Sequence, residues 1–333
     1  MDEGMPDQHF SHSLLGALVA DAASLGVHWI YDPGHIAEIA EREGEVAFVA
    51  PSKENYDGVP SYFAHGAREA GSLTQYGEVL ALTVRDMIEN DGVFSVESFQ
   101  KAFSQHFGQG GTYRGYIDRP TKGTLANIAK GQLDPSGVDD DQLPAITRLP
   151  AILGYAKGAD QKALIKACVE VTNVNDIALK GAEVVTSVLK AAQDGNDVSD
   201  ALESAANAAP RPFAALLRAA LDTTESSSVA YGEVTERACH LQQGLPLAFH
   251  ILKNATSYRD AINRNLLAGG DSAGRSIFIG AVAAARYGVD GPEGVPLDWI
   301  LSMRDNSDLW QSCRELSKLC GSSCQNRKKK NPG

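Results

Sequence analysis

Apolar side chains recur at helical spacing through most of the chain. In the first such stretch, which ends at Gly26, the apolar positions lie three or four residues apart. Spacing near 3.6 residues predicts an amphipathic helix, and glycine often follows the last helical residue. The same pattern predicts further helices over 74–90, 161–170, 176–193, 197–208, 211–222, 232–253, 256–267, 275–287 and 307–320.

Very little of the chain has the alternation that is typical of β-strands. Only 45–50 indicates a short strand, so the strands that would alternate with helices in a parallel sheet are missing. No Pro- or Ser-rich linker divides the chain, and alanine clusters such as 283–285 favour close helix packing. We therefore predict an all-α, single-domain fold over 12–320. Longer loops are predicted at 50–73, 108–123 and 131–144.

The two ends of the chain lack the helical pattern. The polar segment 1–11 is predicted to be flexible, and 321–333, which is small and polar and then basic, is predicted to be a disordered tail. The basic run 327–330 is shorter than most nuclear addresses. We interpret it as a solvated segment, with a nuclear address as the alternative.

The net charge limits the classes of partner. At -12, the chain does not have the broad basic surface of a nucleic-acid-binding protein or of a protein that docks on anionic lipid. No apolar run approaches the roughly 18–20 residues of a membrane span, and the first residues do not resemble a signal peptide. We expect neither a nucleic acid nor a membrane as partner, although a local positive pocket could still hold a phosphorylated ligand.

The cysteines indicate the redox compartment. There are five, and an odd number in a chain of 333 residues is not typical of a disulfide framework. A reducing, cytoplasmic setting is therefore predicted. Cys320 and Cys324 have no companion ligands at zinc-site spacing, so no zinc site is expected.

Two glycine-rich segments interrupt the helical pattern just before a predicted helix. In 269–276, paired glycines precede Asp271 and Ser272, and 65–78 leads to Thr74. Each segment is explained by a helix stop followed by a side-chain cap. The alternative is a helix N-terminus that presents amide groups and a carboxylate to a phosphate or a metal ion.

Taken in order, these segments resemble the motifs of the ADP-ribosylglycohydrolase family. The family's G-D-A-x-G motif is similar to 20–24, its T-D-D-T motif to 74–77, and its G-G-D-T-D-[ST] motif to 270–274. Its M-R-x-x-P and I-P-x-x-W segments are similar to 147–150 and 295–299, and the ordered set covers about 12–304. Within the family, 27–32 and 238–241 most resemble the J-type lens crystallins of jellyfish and selenoprotein J.

The resemblance implies an orthogonal helical bundle that hydrolyses ADP-ribosyl linkages at a two-magnesium site. Magnesium prefers oxygen ligands, and two adjacent ions need several carboxylates. Gln75 and Tyr76 stand where the family has adjacent aspartates, and 273–274 is Ala-Gly in place of an aspartate and a hydroxyl residue. Asp271 is retained. We therefore expect no metal-binding residues, with magnesium as a cofactor by resemblance alone.

The family's cleft is predicted to persist without its metals. The candidate catalytic residues are Asp21, His28 and Asp271, and the expected ligand is a nucleotide sugar such as ADP-ribose. The candidate ligand-binding residues are Thr74, Gln75, Tyr76, Glu78, Tyr113, Arg148, Ser272 and Arg275. Arg275 replaces a small polar residue of the family, and we predict that its guanidinium neutralises Asp271 directly.

Three parts of this cleft have open interpretations. His28 is either a hydrogen-bonded core histidine or a general acid or base paired with Asp21 or Asp271. Cys239 is interpreted as a buried structural thiol, with pocket lining as the alternative. It forms no nucleophile–base pair with the adjacent His240, because neighbouring side chains on a helix diverge. The loop 113–123 either stacks an adenine and holds a diphosphate or is a structured surface loop.

Three functions compete on this basis. The first is a structural, crystallin-like or ligand-binding member of the family that has lost hydrolysis. The second is an enzyme that acts on ADP-ribosyl or related N- or O-glycosidic linkages without the usual metals. The third is an ordinary magnesium-dependent hydrolase with ligands elsewhere in the chain. Metal content, and thermal stabilisation by magnesium or ADP-ribose, distinguish them.

Overall fold

Sixteen α-helices make up the architecture, and only isolated β-bridges form among the described residues. The computed structural model describes residues 8–155 and 161–330, with side chains as far as Gly321. The helices are α1 (Gln8–Ser24), α2 (Pro33–Glu43), α3 (Gln75–Glu89), α4 (Val96–Phe107), α5 (Arg119–Ala129), α6 (Leu149–Tyr155), α7 (Gln161–Glu170), α8 (Asp176–Gln193), α9 (Val198–Ala208), α10 (Phe213–Asp222), α11 (Ser228–Thr235), α12 (Leu241–Asn254), α13 (Tyr258–Ala268), α14 (Ser272–Tyr287), α15 (Leu297–Ser302) and α16 (Asn306–Lys330). The all-α, single-domain prediction is confirmed.

A close pair of helices, α1 and α14, forms the centre of the core. A Cβ atom added to Gly16 would lie 2.6 Å from the carbonyl oxygen of Gly280, and one added to Gly280 would lie 2.5 Å from the Cβ of Ala20. Small residues at the crossing therefore let the two backbones approach. Tyr258 on α13 closes one side, where its hydroxyl donates to the carbonyl of Gly16 at 2.6 Å. This packing fixes the N-terminus of α14, where the site described below begins.

The helix ends carry the residue types that favour capping positions. The Ser257 hydroxyl accepts from the amide of Asp260, and Gly288 ends α14 with a φ of 79°. At α8 the predicted start at Asp176 is confirmed, and the capping side chain is that of Asn175. The helices α7 and α8 have the predicted bounds.

The predicted strand at 45–50 is wrong. This segment is a turn in which Phe48 has a φ of 59°, and its amide donates to the carbonyl of Ala23. The segment crosses α1's end so closely that a Cβ on Gly26 would stand 1.9 Å from the carbonyl oxygen of Val49. The alternating apolar residues contact the core from a turn and pair with no other strand.

The predicted helix over 232–253 is two helices in the structure. α11 ends at Thr235 and α12 begins at Leu241, because Glu236 and Arg237 take left-handed φ values of 62° and 47°. The intervening bend packs on the loop before α14, as described below. The apolar periodicity continues across residues 236–237, so the sequence pattern predicts one unbroken helix there.

Several short helices were not predicted. They are α2, α4, α5, α6 and α15.

At the two ends of the described chain, the first and last helices run into the segments that the sequence separates from the domain. α1 begins at Gln8, and Phe10 within it is buried. The backbone of α16 extends to Lys330. The predictions of a flexible 1–11 and a disordered 321–333 fall partly outside the described residues and stay predictions. No described helix has the length and apolar content that a bilayer crossing requires.

Candidate functional site

The site begins at the glycine turn between α13 and α14. Gly269 and Gly270 have φ values of 74° and 68°, and a Cβ on Gly270 would lie 2.0 Å from the carbonyl oxygen of Arg237. Only glycine fits such a left-handed, crowded position. The turn places Asp271 as the N-cap of α14, where its carboxylate accepts from the amide of Gly274 at 2.8 Å. Both predicted elements, the helix stop and the cap, are therefore present.

A buried chain of three side chains starts at this cap. The Oδ1 of Asp271 lies 2.9 Å from Nε2 of His28, and Nδ1 of His28 lies 2.7 Å from Nε2 of His65. All three side chains are at most 1% exposed. An ionised carboxylate only accepts, so Nε2 of His28 donates to Asp271. Nδ1 of His65, at the other end of the chain, is buried and has no hydrogen-bond partner.

Aromatic rings cover the histidines. Trp29 stacks on His28 with centroids 4.1 Å apart, and it has a left-handed φ of 65°, which is unusual for so large a side chain. Its backbone is held on both sides, because its amide donates to Gly270 and its carbonyl accepts from Tyr62. Tyr62 and Tyr116 contact its ring edge-on, at 5.6 and 5.2 Å. The histidines are therefore sealed from solvent.

Burial and charge act on the ionisable groups of this cluster. Burial alone would raise the pKa of Asp271, but the hydrogen bond and charge of His28, the amide of Gly274 and the charge of Arg275 hold that pKa below its ordinary value. Burial lowers the pKa of His65 well below its ordinary value, and His28 and Arg68 add to this effect. Burial, with the nearby Asp271 carboxylate, raises the pKa of Tyr76 well above 10. Asp271 is therefore ionised at neutral pH, while Tyr76 and His65 are neutral.

Asp21 serves as an anchor for the start of α3. Its two carboxylate oxygens accept from the hydroxyl and the amide of Thr74, at 2.6 and 2.7 Å. Thr74 in turn caps α3 by accepting from the amide of Tyr76. Gly77 is needed here, because a Cβ at that position would lie 2.2 Å from Oδ2 of Asp21. Burial raises the pKa of Asp21 to about 7, even though the bonds from Thr74 oppose the shift.

Gln75 joins α3 to the start of α5. Its amide nitrogen donates to the hydroxyl of Thr121 and its carbonyl accepts from the amide of Asp118, both at 2.6 Å. Asp118 caps α5 through Oδ1, and its buried Oδ2 has no partner. Burial raises the pKa of Asp118. A glutamine at position 75 thus occupies both of its functional atoms in contacts between helices.

Glu78 belongs to a second polar cluster at the rim. It pairs with Arg68 at 2.5 Å and with Nε2 of His106 at 3.1 Å. Burial would raise the pKa of Glu78, but these two partners hold it below its ordinary value. Arg68 lies over the ring of Tyr113, 5.0 Å from its centroid, and Tyr113 donates to the carbonyl of Tyr116. The loop that carries Tyr113 is therefore a structured loop that borders the aromatic cover.

The predicted direct neutralisation of Asp271 by Arg275 is wrong. The buried guanidinium donates to the side chain of Asn265 and to the carbonyls of Arg237 and Gly269, and the ion-pair partner of Asp271 is His28. Arg275 holds the glycine turn in place and reaches Asp271 only through its charge. Burial lowers the pKa of Arg275 to about 10.

Arg148 lies away from the cluster, in the core beside α7. Its guanidinium donates to the carbonyl of Cys168 and to the hydroxyl of Thr172, and it lies 5.6 Å from the ring centroid of Phe99. The resemblance placed it in the cleft as a ligand-binding residue. In the structure it joins helices, because its partners are the end of α7 and the turn that follows.

Ser272 and Cys239 complete the surroundings of Asp271. The hydroxyl of Ser272 is buried without a partner, and the thiol of Cys239 lies near Trp29, Tyr31 and Asp271. Burial and the neighbouring carboxylate raise the pKa of the Cys239 thiol, so it stays protonated. His240 turns away and pairs with Asp141 at 2.7 Å. Cys239 therefore lines the cluster as an inert thiol.

The residues present do not fit a two-magnesium centre. Both amide atoms of Gln75 are engaged, Tyr76 keeps its proton, and Asp21 is bound to Thr74 through both oxygens. Asp271 shares Oδ1 with a histidine and a helix amide. Across the described ranges no three His, Cys, Asp or Glu side chains form a group that could hold a metal ion. Hard magnesium ions need more free carboxylate oxygens than this cluster offers.

Some residues of the cluster were missed or given little weight at the level of sequence. His65 lies in a predicted loop and Asp118 in another, far apart in the chain. A histidine before a glycine-rich approach, and an aspartate before Arg-Pro at a helix start, were the available signals. They were weak because loops do not reveal from sequence which helix end they will contact.

The fold and this cluster define an all-α protein with a helix-capping aspartate at the centre of a buried polar cluster. The sequence model of the ADP-ribosylglycohydrolase family matches residues 5–326, so the chain belongs to that family. A solved structure described as an ADP-ribosylglycohydrolase-related protein complex shares the fold, with a TM-score of 0.66 and 13% identity over 94% of this chain and 98% of that one.

Its curated relatives include two crystallins of Tripedalia cystophora. Crystallin J1A is 25% identical over 326 residues, which is 92% of this chain and 95% of the relative. Crystallin J1B is 25% identical over 302 residues, covering 86% of this chain and 89% of the relative.

Proposed function

We propose that this protein is a structural, crystallin-like member of the family that has lost magnesium-dependent hydrolysis. The observation that carries this proposal is the filled site. Gln75, Tyr76 and Asp271 are at most 4% exposed, and each is committed to contacts within the protein. In a catalytic cleft, some polar side chains stay exposed so that they can contact substrate. Here the contacts of Gln75, Tyr76 and Asp271 are made to neighbouring helices and loops.

The relatives' names and the free thiols support the same role. The two curated relatives carry the name crystallin and match nearly their full length. The described cysteines Cys168, Cys239 and Cys313 form no disulfide, as expected in a reducing compartment, and we place this role in the cytoplasm.

A nucleotide sugar of the ADP-ribose type is the ligand that the family predicts for any binding that persists. Support comes from the rim, where Tyr62, Tyr116 and Lys122 lie together over the buried histidines and Arg68 lies over Tyr113. Aromatic faces beside cations are suited to a base and a diphosphate. Binding would require Tyr62 to move away from Trp29.

Metal content and thermal unfolding test the structural proposal. We expect purified protein to contain no stoichiometric magnesium and its Tm to be unchanged by added magnesium. A ligand that binds only the folded state raises Tm, so a rise with ADP-ribose in the presence of a chelator would identify a ligand-binding member. Release of ADP-ribose from an ADP-ribosylated protein, abolished by the chelator, would contradict the proposal.

The second candidate is a hydrolase that works without metals. The hydrogen-bonded chain Asp271–His28–His65 favours it, because opening of the aromatic cover would bring water to the unpartnered Nδ1 of His65, which can accept a proton when Nε2 is the protonated nitrogen. The test is release of ADP-ribose in the presence of a chelator by wild-type protein and by His65→Gln. Activity that the chelator spares and the substitution removes supports this candidate; no activity in wild-type protein excludes it for that linkage.

A further inference from the structure

A groove between α7 and α8 lies outside the family's cleft. It encloses about 590 Å³, which is within the range of small-molecule sites. Ile165 and Leu179 supply its apolar wall, and the remaining lining is polar. None of the residues discussed above as part of the buried cluster lines it.

The sequence of the two helices explains why a groove forms. On α7, Lys162, Ile165 and Lys166 share one face through their spacing of three and four residues. On α8, the lining positions 179, 183, 186, 187 and 190 likewise follow helical spacing. Residues 186–187 are Thr-Ser, so small side chains face the opposite helix and leave space between the two.

The lining of the groove holds more cations than carboxylates, on a protein with a net charge of -12. It includes Lys162, Lys166 and Lys190 but a single carboxylate, Glu183, because the acidic partners of Lys166 and Lys190 lie outside the lining. A local positive concentration of this kind attracts an anion despite the overall charge.

The lysines hold their present partners weakly. Lys162 pairs with Glu183 at 3.1 Å, and Lys166 and Lys190 pair with the acidic residues four positions later on their own helices. The three ammonium-bearing side chains are 88%, 57% and 46% exposed. Exposed pairs of this kind contribute about 0–1 kcal/mol each, so an incoming anion can replace them.

An unpartnered hydroxyl lines the same groove. A threonine within a helix commonly donates to a carbonyl one turn earlier, as Thr83 does to Val79 at 2.7 Å. Thr186 is 9% exposed, and its buried Oγ1 has no hydrogen-bond partner. Buried hydroxyls are nearly always bonded, and rotation of the Thr186 side chain, which belongs to the lining, would let Oγ1 donate to a polar group in the groove.

We propose that the α7–α8 groove binds a small organic anion with an apolar body, such as a medium-chain carboxylate. The apolar part contacts Ile165 and Leu179, and the anionic head lies among the three lysines. The hydroxyl of Thr186 donates to the head group. This site is independent of the family's cleft and of the function proposed for it.

Calorimetric titration of the full-length protein tests the proposal, with decanoate as the probe and decan-1-ol as the uncharged match. Decanoate is expected to bind with one molecule per chain and more tightly than decan-1-ol. Replacing Lys162, Lys166 and Lys190 together by alanine should weaken decanoate binding about tenfold, which corresponds to three exposed charge contacts. Decan-1-ol binding should not change. Lys101→Ala, at an exposed position of α4, is the matched control and should leave both affinities intact.

Two further variants separate the groove from general surface charge. Leu179→Trp fills the groove and should abolish binding of both probes, and Thr186→Val should weaken decanoate alone. Circular dichroism of each variant checks that the helices are retained. The proposal is overturned if decanoate fails to bind wild-type protein at millimolar concentration, or if it binds the triple-alanine or Leu179→Trp variant as tightly as wild-type protein.

Discussion

Two histidine–carboxylate pairs of similar length lie in different surroundings. His28 and Asp271 are 2.9 Å apart and 1% and 0% exposed, whereas His106 and Glu78 are 3.1 Å apart and each 15% exposed. Glu78 has a second partner in Arg68, and water reaches the rim pair. The central carboxylate depends entirely on fixed protein groups. The comparison teaches that burial, more than pair geometry, decides what each pair contributes.

Asp21 sharpens this comparison because its pKa moves the opposite way. Asp271 and Glu78 have lowered pKa values since cationic or hydrogen-bonding partners outweigh burial. Asp21 has only the neutral donors of α3, and its burial raises its pKa to about 7. These three neighbouring carboxylates thus have different environments, and each environment predicts a different response to substitution.

The largest effect is expected at the central pair. Asp271→Ala removes the helix cap and leaves His28 without its carboxylate, so the free energy of unfolding should fall by about 3–5 kcal/mol. Guanidinium unfolding measures it. Asp141→Ala, at a more exposed histidine pair, is the control and should cost below about 1 kcal/mol. Equal losses in the two variants would refute the role assigned to burial.

The next effect is expected at Arg275, beside the same pair. Arg275→Ala should destabilise the protein by about 3 kcal/mol, because buried carbonyls and Asn265 lose their donor. Arg275→Lys tests what the guanidinium does. If it shapes the glycine turn through several bonds, lysine recovers little stability; if charge near Asp271 were its main contribution, lysine would recover most. Thermal unfolding of both variants distinguishes these outcomes.

Asp21→Asn tests the carboxylate whose pKa is raised. Between its unfolded pKa of 3.8 and its folded pKa of about 7, Asp21 binds a proton only in the folded state. Its contribution to stability is therefore fully present below the unfolded pKa and is lost as pH rises through the folded pKa. An amide mimics the protonated form, so the variant should lack this part of the pH dependence. Unfolding curves at several pH values, compared with wild-type protein, measure the difference; parallel profiles would show that Asp21 is ionised throughout.

The smallest effect is expected at the rim. Glu78→Gln removes the charge that pairs with Arg68 and His106, and the free energy of unfolding should fall by about 1 kcal/mol at neutral pH. Because the pKa of Glu78 is lowered, this contribution is present above the unfolded pKa and fades as pH falls. A salt titration provides the check, since high salt should reduce the difference in the free energy of unfolding between the variant and wild-type protein. A loss in the free energy of unfolding equal to that of Asp271→Ala would contradict the conclusion that the rim pair contributes less than the buried pair.

The helical fold followed from local pattern, and much of the site did not. Apolar periodicity predicted the bounds of α7 and α8, and the capping residue Asp271 predicted the start of α14. The bend at 236–237 was missed because two non-glycine residues take left-handed φ values there. Tertiary packing against the glycine turn imposes that conformation, and the local sequence preferences of these two residues do not predict it.

The sequence by itself determined the helical class and the family, and the resemblance of its motifs predicted the replacement of acidic residues at 75, 76 and 273. Only the tertiary structure decided which partners the buried polar side chains of the site contact. It joined His65 to His28, assigned Asp21 to the start of α3 and directed Arg275 to the glycine turn. The physical reason is that spacing along a chain fixes which face of a helix a side chain occupies, while its hydrogen-bond partner depends on which loop packs there.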